Sequence, residues 1–231
     1  MLAGQAVMIN WSNVAEQDRP AYYEWHSREH MVGRVGIPGF QRGRRSIAVR
    51  ANRDFLMLYE VDDLAVLTGA AYMAKANNPS PLTQRTTGLI SNSVRALAKV
   101  RLSLGIGQGG YLLTLRFDPQ HGRDGELDQY LHEAMPCVVA MPGIVAAHFC
   151  VADKPASTLV PVERKGRPTV IPNWIIVLEG VSPEVLDRAC DAQLAEQALH
   201  EHGCTGAVER EIYSVQLTVS NAAFRPGRDG R

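Results

Sequence analysis

The chain has 231 residues, of which 45% are hydrophobic and 21% are charged, proportions typical of a globular protein. Lysine plus arginine and aspartate plus glutamate both number 24, so no excess positive charge favours nucleic acid or an anionic membrane surface as a partner. The N-terminal segment has neither a basic region nor a long apolar one, and no apolar run approaches the roughly 18 residues that span a bilayer. We therefore expect a cytoplasmic protein that binds neither nucleic acid nor membranes.

The first half of the chain is predicted to run in the order βαββαβ. Asp18 is the expected N-cap of the first helix, and residues 80–92 are expected to form a long loop. In the last strand polar residues, Arg95 among them, alternate with apolar ones, which predicts one solvated face. The predicted elements are strands at 5–11, 40–49, 55–61 and 94–104 and helices at 19–35 and 64–76.

The same pattern restarts after the glycine-rich segment 105–110, which we interpret as a flexible joint. Met141-Pro142-Gly143-Ile144 echoes Ile37-Pro38-Gly39-Phe40 at an offset of 104 residues, which indicates an internal duplication. Residues 153–170 are polar and contain proline, and they are predicted to be an extended loop over one end of the fold. The predicted elements here are strands at 111–115, 146–151, 173–179 and 211–219 and helices at 125–140 and 182–203.

A single βαββαβ unit carries helices on one face of its sheet only, so the other face needs a cover. Two such units in one chain can cover each other. We therefore predict an α+β fold, a single-chain pseudo-dimer whose two four-stranded sheets meet face to face or curl into a barrel, with the helices outside. The predicted domains are 1–104 (unit one), 105–110 (the joint), 111–220 (unit two) and 221–231 (a flexible tail).

The predicted helix 19–35 concentrates more titratable and aromatic side chains than any other stretch. His26 and His30 lie one turn apart on one face of it. An imidazole titrates near neutrality, so these two histidines are candidate catalytic acid and base groups. The alternative is a helix whose histidines pack under the sheet or face solvent without chemistry. The candidate substrate-binding residues on or beside this face are Tyr22, Tyr23, Trp25 and Arg34. Only one of the two tyrosines can share the histidine face fully.

Unit two keeps the scaffold of this stretch but loses its titratable groups. The offset places Glu133 at the position of Glu29 and keeps the Pro-Gly pair. It maps His26, His30 and Arg34 onto Tyr130, Ala134 and Val138. We therefore expect one active site, in unit one, with unit two structural or lending it a wall.

Two further motifs have competing interpretations. His26-x-x-Glu29-His30 matches an inverted zinc-protease pattern, but such a site needs another carboxylate ligand downstream, and we predict no metal here. The arginines of the strand at 40–49 are suited to a substrate carboxylate. We favour the commoner interpretation, the solvated face of an edge strand, for Arg42, Arg44 and Arg45.

The segment Trp25-His26-Ser27-Arg28-Glu29-His30 with Arg34, followed by Pro38-Gly39-Phe40, resembles the dimeric α/β-barrel superfamily and its EthD-like branch in particular. That branch typically has tyrosine where His26 stands and proline where Val32 stands. The resemblance implies that the two units are tandem duplicated ferredoxin-like units forming an intramolecular dimeric α/β-barrel. The superfamily includes cofactor-free monooxygenases, cyclases, dehydratases, decarboxylases and isomerases. The resemblance therefore predicts the fold but does not specify the reaction.

These observations predict a cofactor-independent small-molecule enzyme of the lyase or isomerase type, such as a dehydratase, decarboxylase or cyclase. His30 with His26 would move a proton on a hydrophobic aromatic or ring-derived substrate, as in aromatic catabolism. One alternative is a cofactor-free oxygenase, and another is a non-catalytic binder of an apolar ligand. Nucleic-acid binding is disfavoured because no aromatic RNA-binding strand accompanies the zero net charge.

The assembly prediction follows from the duplication. Because one chain carries both units, a monomer suffices for folding, and the barrel pairing is predicted to be intramolecular. Rim strands such as 40–49 are expected to leave free hydrogen-bonding edges. Any homodimer is therefore predicted to use a surface other than the barrel pairing.

Overall fold

The computed structural model describes residues 1–224, and within that range the chain forms two successive βαββαβ sets. Part of the tail predicted at 221–231 lies outside the described residues. Unit one contains strands β1 (Ala6–Val14), β2 (Phe40–Arg50), β3 (Phe55–Val61) and β4 (Ile90–Gly105) and helices α1 (Arg19–Trp25), α2 (Met31–Val35), α3 (Ala70–Asn77) and α4 (Pro81–Thr87). Unit two contains strands β5 (Tyr111–Pro119), β6 (Ile144–Ala152), β7 (Thr169–Val170), β8 (Trp174–Gly180) and β9 (Cys204–Ser220) and helices α5 (Asp124–Ala140), α6 (Lys154–Ser157), α7 (Pro183–Gln193) and α8 (Glu196–Glu201).

Eight of these strands close into a barrel. In unit one β1 lies between β3 and β4, and β3 pairs with β2; in unit two β5 lies between β8 and β9, and β8 pairs with β6. The units join at two antiparallel seams, β2 with β9 and β4 with β6. The short strand β7 adds to β4 in parallel. The predicted α+β fold with an intramolecular barrel is confirmed.

The alternation of side chains along each strand separates the barrel interior from the helix-covered faces. In β1, Val7, Ile9 and Trp11 pack inside the barrel, whereas Ala6 and Met8 face the helices of unit one. Unit two has its own core between its helices and the outer face of its sheet. No helix of residues 1–224 is both long and apolar enough to cross a membrane.

The predicted solvated edge at residues 40–49 is wrong, because β9 pairs with β2 and leaves it no free edge. Arg44 is 1% exposed and lies inside the barrel, where it pairs with Glu179 at 2.7 Å and with Glu60 at 3.3 Å. Arg42 also pairs with Glu60, and Arg45 is buried beside His26. Closure of the barrel thus places Arg42 and Arg44 in ion pairs with buried carboxylates.

The helix predictions need three corrections. The long loop predicted at 80–92 is wrong because Ser80 accepts a hydrogen bond from the backbone N–H of Thr83 at 3.0 Å and begins α4, with Pro81 in the first turn. Asp18 makes no side-chain capping bond to the first helix. The long helix predicted to end at Gly203 is interrupted between α7 and α8.

Gly39, in the repeated Pro-Gly motif, has a backbone conformation and a close neighbour that both favour glycine. Its φ is 92°, and a Cβ there would lie 2.5 Å from Cγ2 of Val66. Gly122 has a similar φ of 81°, but no atom of residues 1–224 lies within 4 Å of such a Cβ. We expect Gly122→Ala to cost about 1 kcal/mol for the left-handed backbone, and Gly39→Ala to cost roughly 1–3 kcal/mol more because of the overlap. Urea unfolding of both variants measures this, and equal losses would show that the Val66 contact does not matter.

Candidate active site

A cavity of about 560 Å³, measured with the space towards its mouth, lies between the helices and the outer face of the sheet in unit one. Residues of α1 and α2 and the turn between them form one wall, and residues of β1, β3 and β4 form the floor. Glu163, Arg164 and Arg167 of unit two complete the enclosure. A pocket between packed layers that is lined by aromatic and a few polar side chains is a common place for a small ligand.

A π-helical turn presents the two histidines to this cavity. The predicted helix 19–35 consists of α1, a π-helical turn at His26–His30, and α2. The backbone N–H of Met31 donates to the carbonyl of His26, which closes the wider turn. The two imidazole centroids lie 5.5 Å apart, and both rings line the cavity. Such turns occur frequently at functional sites because they redirect side chains within a helix.

The structure separates the two neighbouring tyrosines. Tyr22 is buried and lines the cavity, and its hydroxyl lies 3.3 Å from Sδ of Met57. Burial raises the pKa of Tyr22, so this phenol stays protonated. The ring of Tyr23 instead packs under the guanidinium of Arg45 at 4.7 Å and against Phe55 at 5.8 Å. Tyr22 is therefore the tyrosine that shares the histidine face.

His26 is 2% exposed and sits between two polar groups. Nη1 of Arg45 lies 3.5 Å from Nδ1, and the hydroxyl of Tyr59 lies 3.4 Å from Nε2. Because a guanidinium only donates, Nδ1 must accept, and the proton of the neutral ring is then on Nε2, directed at Tyr59. Burial, with the charge of Arg45, lowers the pKa of His26 to about 3. His26 is thus neutral and orients the Tyr59 hydroxyl.

His30 differs because, within residues 1–224, neither ring nitrogen has a hydrogen-bond partner. The half-buried ring lies against Trp25, with centroids 4.4 Å apart. Burial is the largest cause that lowers the pKa of His30 well below its usual value, and the charge of Arg34 is the next. The imidazole is therefore neutral at physiological pH and free to accept a proton from a bound molecule.

Hydrogen bonds from outside the cavity position Trp25. Its indole N–H donates to Oγ1 of Thr83 at 2.9 Å, and that hydroxyl donates to Glu29 at 2.7 Å. Ser80 also donates to Glu29, at 2.5 Å. Glu29, which lies between the two histidines in sequence, thus binds Ser80 and Thr83 at the start of α4. In the described part of the chain, no group of three or more histidine, cysteine, aspartate or glutamate side chains is placed to hold a metal ion.

Arg34 connects the cavity to unit two. It is 2% exposed, it forms an ion pair with Glu163, and its guanidinium lies 4.9 Å from the ring centroid of Tyr72. Glu163 belongs to the segment 153–170, which was predicted as an extended loop but contains α6, a 3-10 turn at Val162–Arg164 and β7. The backbone N–H of Val162 donates to Asn77, so this segment is held against unit one. Unit two thus contributes one wall of the cavity.

Several lining residues were missed by sequence reasoning. Arg95 was assigned to a solvated strand face, which is wrong: it is 3% exposed, because Tyr72 of α3 and the segment 153–170 pack over that face. Four other lining residues were not predicted from the sequence: Tyr59, Glu163, Arg164 and Arg167. The run of charges at 163–167, inside an insertion that unit one does not have, is the signal from which the last three could have been found.

The equivalent face of unit two lacks these groups. Ala134, at the position of His30, is buried in the core of unit two. Tyr130, at the position of His26, donates to the carbonyl of Gln193 at 2.7 Å and stacks on His202. The side chains on this face of α5 therefore fill space or bond to neighbouring helices.

No family model and no curated protein matches the chain. Solved structures do resemble it: an anthrone oxidase-like protein has 13% identity and a TM-score of 0.67 over 94% of this chain and 92% of its own. A "putative monooxygenase" from Fusobacterium nucleatum has 10% identity and a TM-score of 0.62, covering 95% and 96%. Another from Lactobacillus acidophilus has 9% identity and a TM-score of 0.60, covering 94% and 97%. At these identities the similarity concerns the fold, which is that of ferredoxin-like dimeric α/β-barrel proteins.

Proposed function

We propose that this protein is a cofactor-independent enzyme in which His30 acts as general base on a hydrophobic aromatic or ring-derived substrate. The observation that carries the proposal is the free imidazole of His30, neutral and directed into a cavity lined by Tyr22, Trp25 and Tyr59. Its position in unit one, where unit two has alanine, supports a single site. Lyase or isomerase chemistry is the first candidate.

The first chemical step is a proton transfer. A nitrogen of His30 takes a proton from a carbon next to a carbonyl group, or from a ring hydroxyl, and leaves an enolate or phenolate on the substrate. The hydroxyl of Tyr59, which receives the Nε2 proton of His26 as a hydrogen bond, donates its own proton towards the developing oxyanion. The protonated His30 then returns its proton to another carbon, which isomerises the substrate, or to a leaving hydroxyl, which releases water.

A cofactor-free oxygenase is the second candidate, and the anthrone oxidase-like and monooxygenase neighbours favour it. It begins with the same deprotonation. The substrate carbanion then reacts with molecular oxygen to a peroxide, which takes back the proton and loses water. A ring CH₂ group plus O₂ thus becomes a carbonyl group plus H₂O, and no residues beyond those already described are required.

The test uses the purified protein with a panel of hydroxylated aromatic compounds and ring ketones. Products are identified by mass spectrometry while dissolved oxygen is recorded. Turnover without oxygen uptake supports a lyase or isomerase, and uptake of one O₂ per product supports the oxygenase. Saturable binding of ring compounds without turnover of any of them would contradict an enzyme and support a non-catalytic binder.

The pH dependence of turnover is a separate prediction. A general base must be unprotonated, and the pKa of His30 lies below its usual value near 6.5. We therefore expect kcat/KM to stay constant as the pH falls to about 6.5, and to decline only at lower pH. A pH profile of kcat/KM measures this. A decline that begins above pH 7 would show that the essential base is not the His30 described here.

Three further proposals concern the internal duplication, the family branch and the assembly of the protein. The shared topology and the positive φ of both Gly39 and Gly143 support an internal duplication, divided at residues 105–110. The Trp25 to Phe40 motif supports membership of the EthD-like branch. A cytoplasmic monomer, or a homodimer through a surface outside the barrel, is the proposed assembly, and light scattering of the purified chain tests it.

A further inference from the structure

The charges that line the cavity do not balance. Among residues 1–224, the lining contains four arginines and one carboxylate, Glu163. Glu163 forms its ion pair with Arg34. Within residues 1–224, the other three arginines, Arg95, Arg164 and Arg167, have no carboxylate within 4.0 Å. An enclosed site with three unpaired guanidinium groups is suited to an anion.

Arg95 is the most deeply buried of the three. It is 3% exposed, and its Nη2 lies 3.3 Å from the hydroxyl of Tyr72 and 3.5 Å from Sδ of Met8. Both of these partners are uncharged. A buried cation without an opposite charge is costly, and such perturbed groups are concentrated at functional sites.

Arg164 and Arg167 reach the same space from unit two. Arg164 donates to Oγ1 of Thr169 at 2.7 Å, and Arg167 donates to the backbone carbonyl of Glu163 at 2.8 Å. These partners are neutral as well. Burial, followed by the charges of Arg95 and Arg167, lowers the pKa of Arg164 to about 9, and the charge of Glu163 opposes this only in part.

We propose that the molecule bound in this cavity is an aromatic or ring-derived carboxylate whose carboxylate group lies between Arg95, Arg164 and Arg167. The planar fork of a guanidinium matches the two oxygens of a carboxylate. The ring of the ligand then lies towards Trp25 and His30. This inference rests on the proposed function, because it assigns the substrate class of the same site.

A carboxylate in this position also affects the base. Arg34 and Arg167 both contribute to the low pKa of His30 in the empty site. A bound negative charge offsets them and raises that pKa, so the ligand itself makes His30 a stronger base. Unit two then has a functional role, because its segment 163–167 supplies Arg164 and Arg167, which select for anions.

The experiment compares 2-naphthoate with 2-naphthamide, which has the same shape but no charge, by isothermal titration calorimetry. We expect the wild-type protein to bind naphthoate at least roughly tenfold more tightly than the amide, as charge-assisted hydrogen bonds imply. This preference is expected to fall to about equal affinity in Arg95→Gln and in Arg164→Gln. Arg188→Gln, at an exposed arginine of α7, is the matched control and keeps the preference.

Three results would overturn the inference: equal affinities in the wild type, no saturable binding of naphthoate, or a preference that survives in both arginine variants. If Arg95→Gln does not fold, Arg164→Gln decides, because Arg164 is only half-buried. The melting temperature of ligand-free Arg164→Gln is expected to equal or exceed that of the wild type, since one repelling cation is removed. His30→Gln is expected to keep the preference for naphthoate, so failure of the anion subsite and failure of the catalytic proposal are distinguishable.

Discussion

Replacing His30 with glutamine is expected to lower kcat by about 10² to 10⁴-fold, the range that general acid–base catalysis contributes. Glutamine keeps most of the size and the hydrogen-bonding capacity of the imidazole but cannot take up a proton at neutral pH. Steady-state kinetics on a substrate from the ring-compound panel measures the effect. The expected signature is a loss in kcat with a smaller change in KM, since the base acts in the transition state.

The matched control for this experiment is His132→Gln. His132 lies exposed on α5 of unit two, and within residues 1–224 its only hydrogen-bond and ion-pair partner is Asp128 of its own helix. We expect this variant to retain wild-type kinetics. Wild-type turnover in His30→Gln as well would refute the role of His30, and the cavity would then be interpreted as a binding site or as a site with another base.

Replacing Glu179 with glutamine is expected to lower the free energy of unfolding by about 3–5 kcal/mol, because it removes the closer of the two carboxylates that pair with the buried Arg44 and leaves only Glu60, at 3.3 Å. Glu179 in β8 of unit two accepts hydrogen bonds from both terminal nitrogens of Arg44 in β2 of unit one, at 2.7 and 2.8 Å. It also accepts from the backbone N–H of Gly109 at 2.9 Å and lies 3.1 Å from Nε2 of His148. The two bonds to Arg44 connect the two units across the barrel interior.

The pH dependence of stability gives a second measure of Glu179. Burial alone raises its pKa, but hydrogen bonds from His148 and Arg44 outweigh burial and hold the pKa well below the usual value of 4.5. A carboxyl group with a lower pKa in the folded state stabilises the fold above its unfolded pKa, and this stability is lost as the pH falls below that value. We therefore expect Glu179→Gln to lose part of the acid dependence of unfolding between pH 7 and pH 3.

Urea unfolding at several pH values measures both effects of this substitution. Glu126→Gln is the matched control, because Glu126 pairs with Arg123 on the exposed surface of α5. Exposed pairs of this kind contribute little, so no measurable change is expected there. If the two variants were equally stable, the ion pair of Arg44 would not be important for joining the two units.

Local patterns predicted the elements of the fold well because the information lies within short stretches. The alternation along the strand predicted at 94–104 and the echo of Gly39 in Gly143 were sufficient to predict two successive βαββαβ sets. The clustering of His26 and His30 on one helix also followed from spacing alone. Helix α4 was not predicted, although Ser80-Pro81 is a local helix-start signal from which it could have been.

The composition of the cavity depended on contacts between distant parts of the chain. Arg44 and Arg95 have the spacing of solvated strand residues, yet pairing of β2 with β9 closes the barrel around the first, and the segment 153–170 helps to cover the second. Polarity along a strand reports which side chains share a face, but whether that face meets water depends on what packs over it. Barrel closure and the insertion of unit two decided this, and they turned residues that look solvent-exposed in sequence into buried ion pairs and a cationic wall around His30.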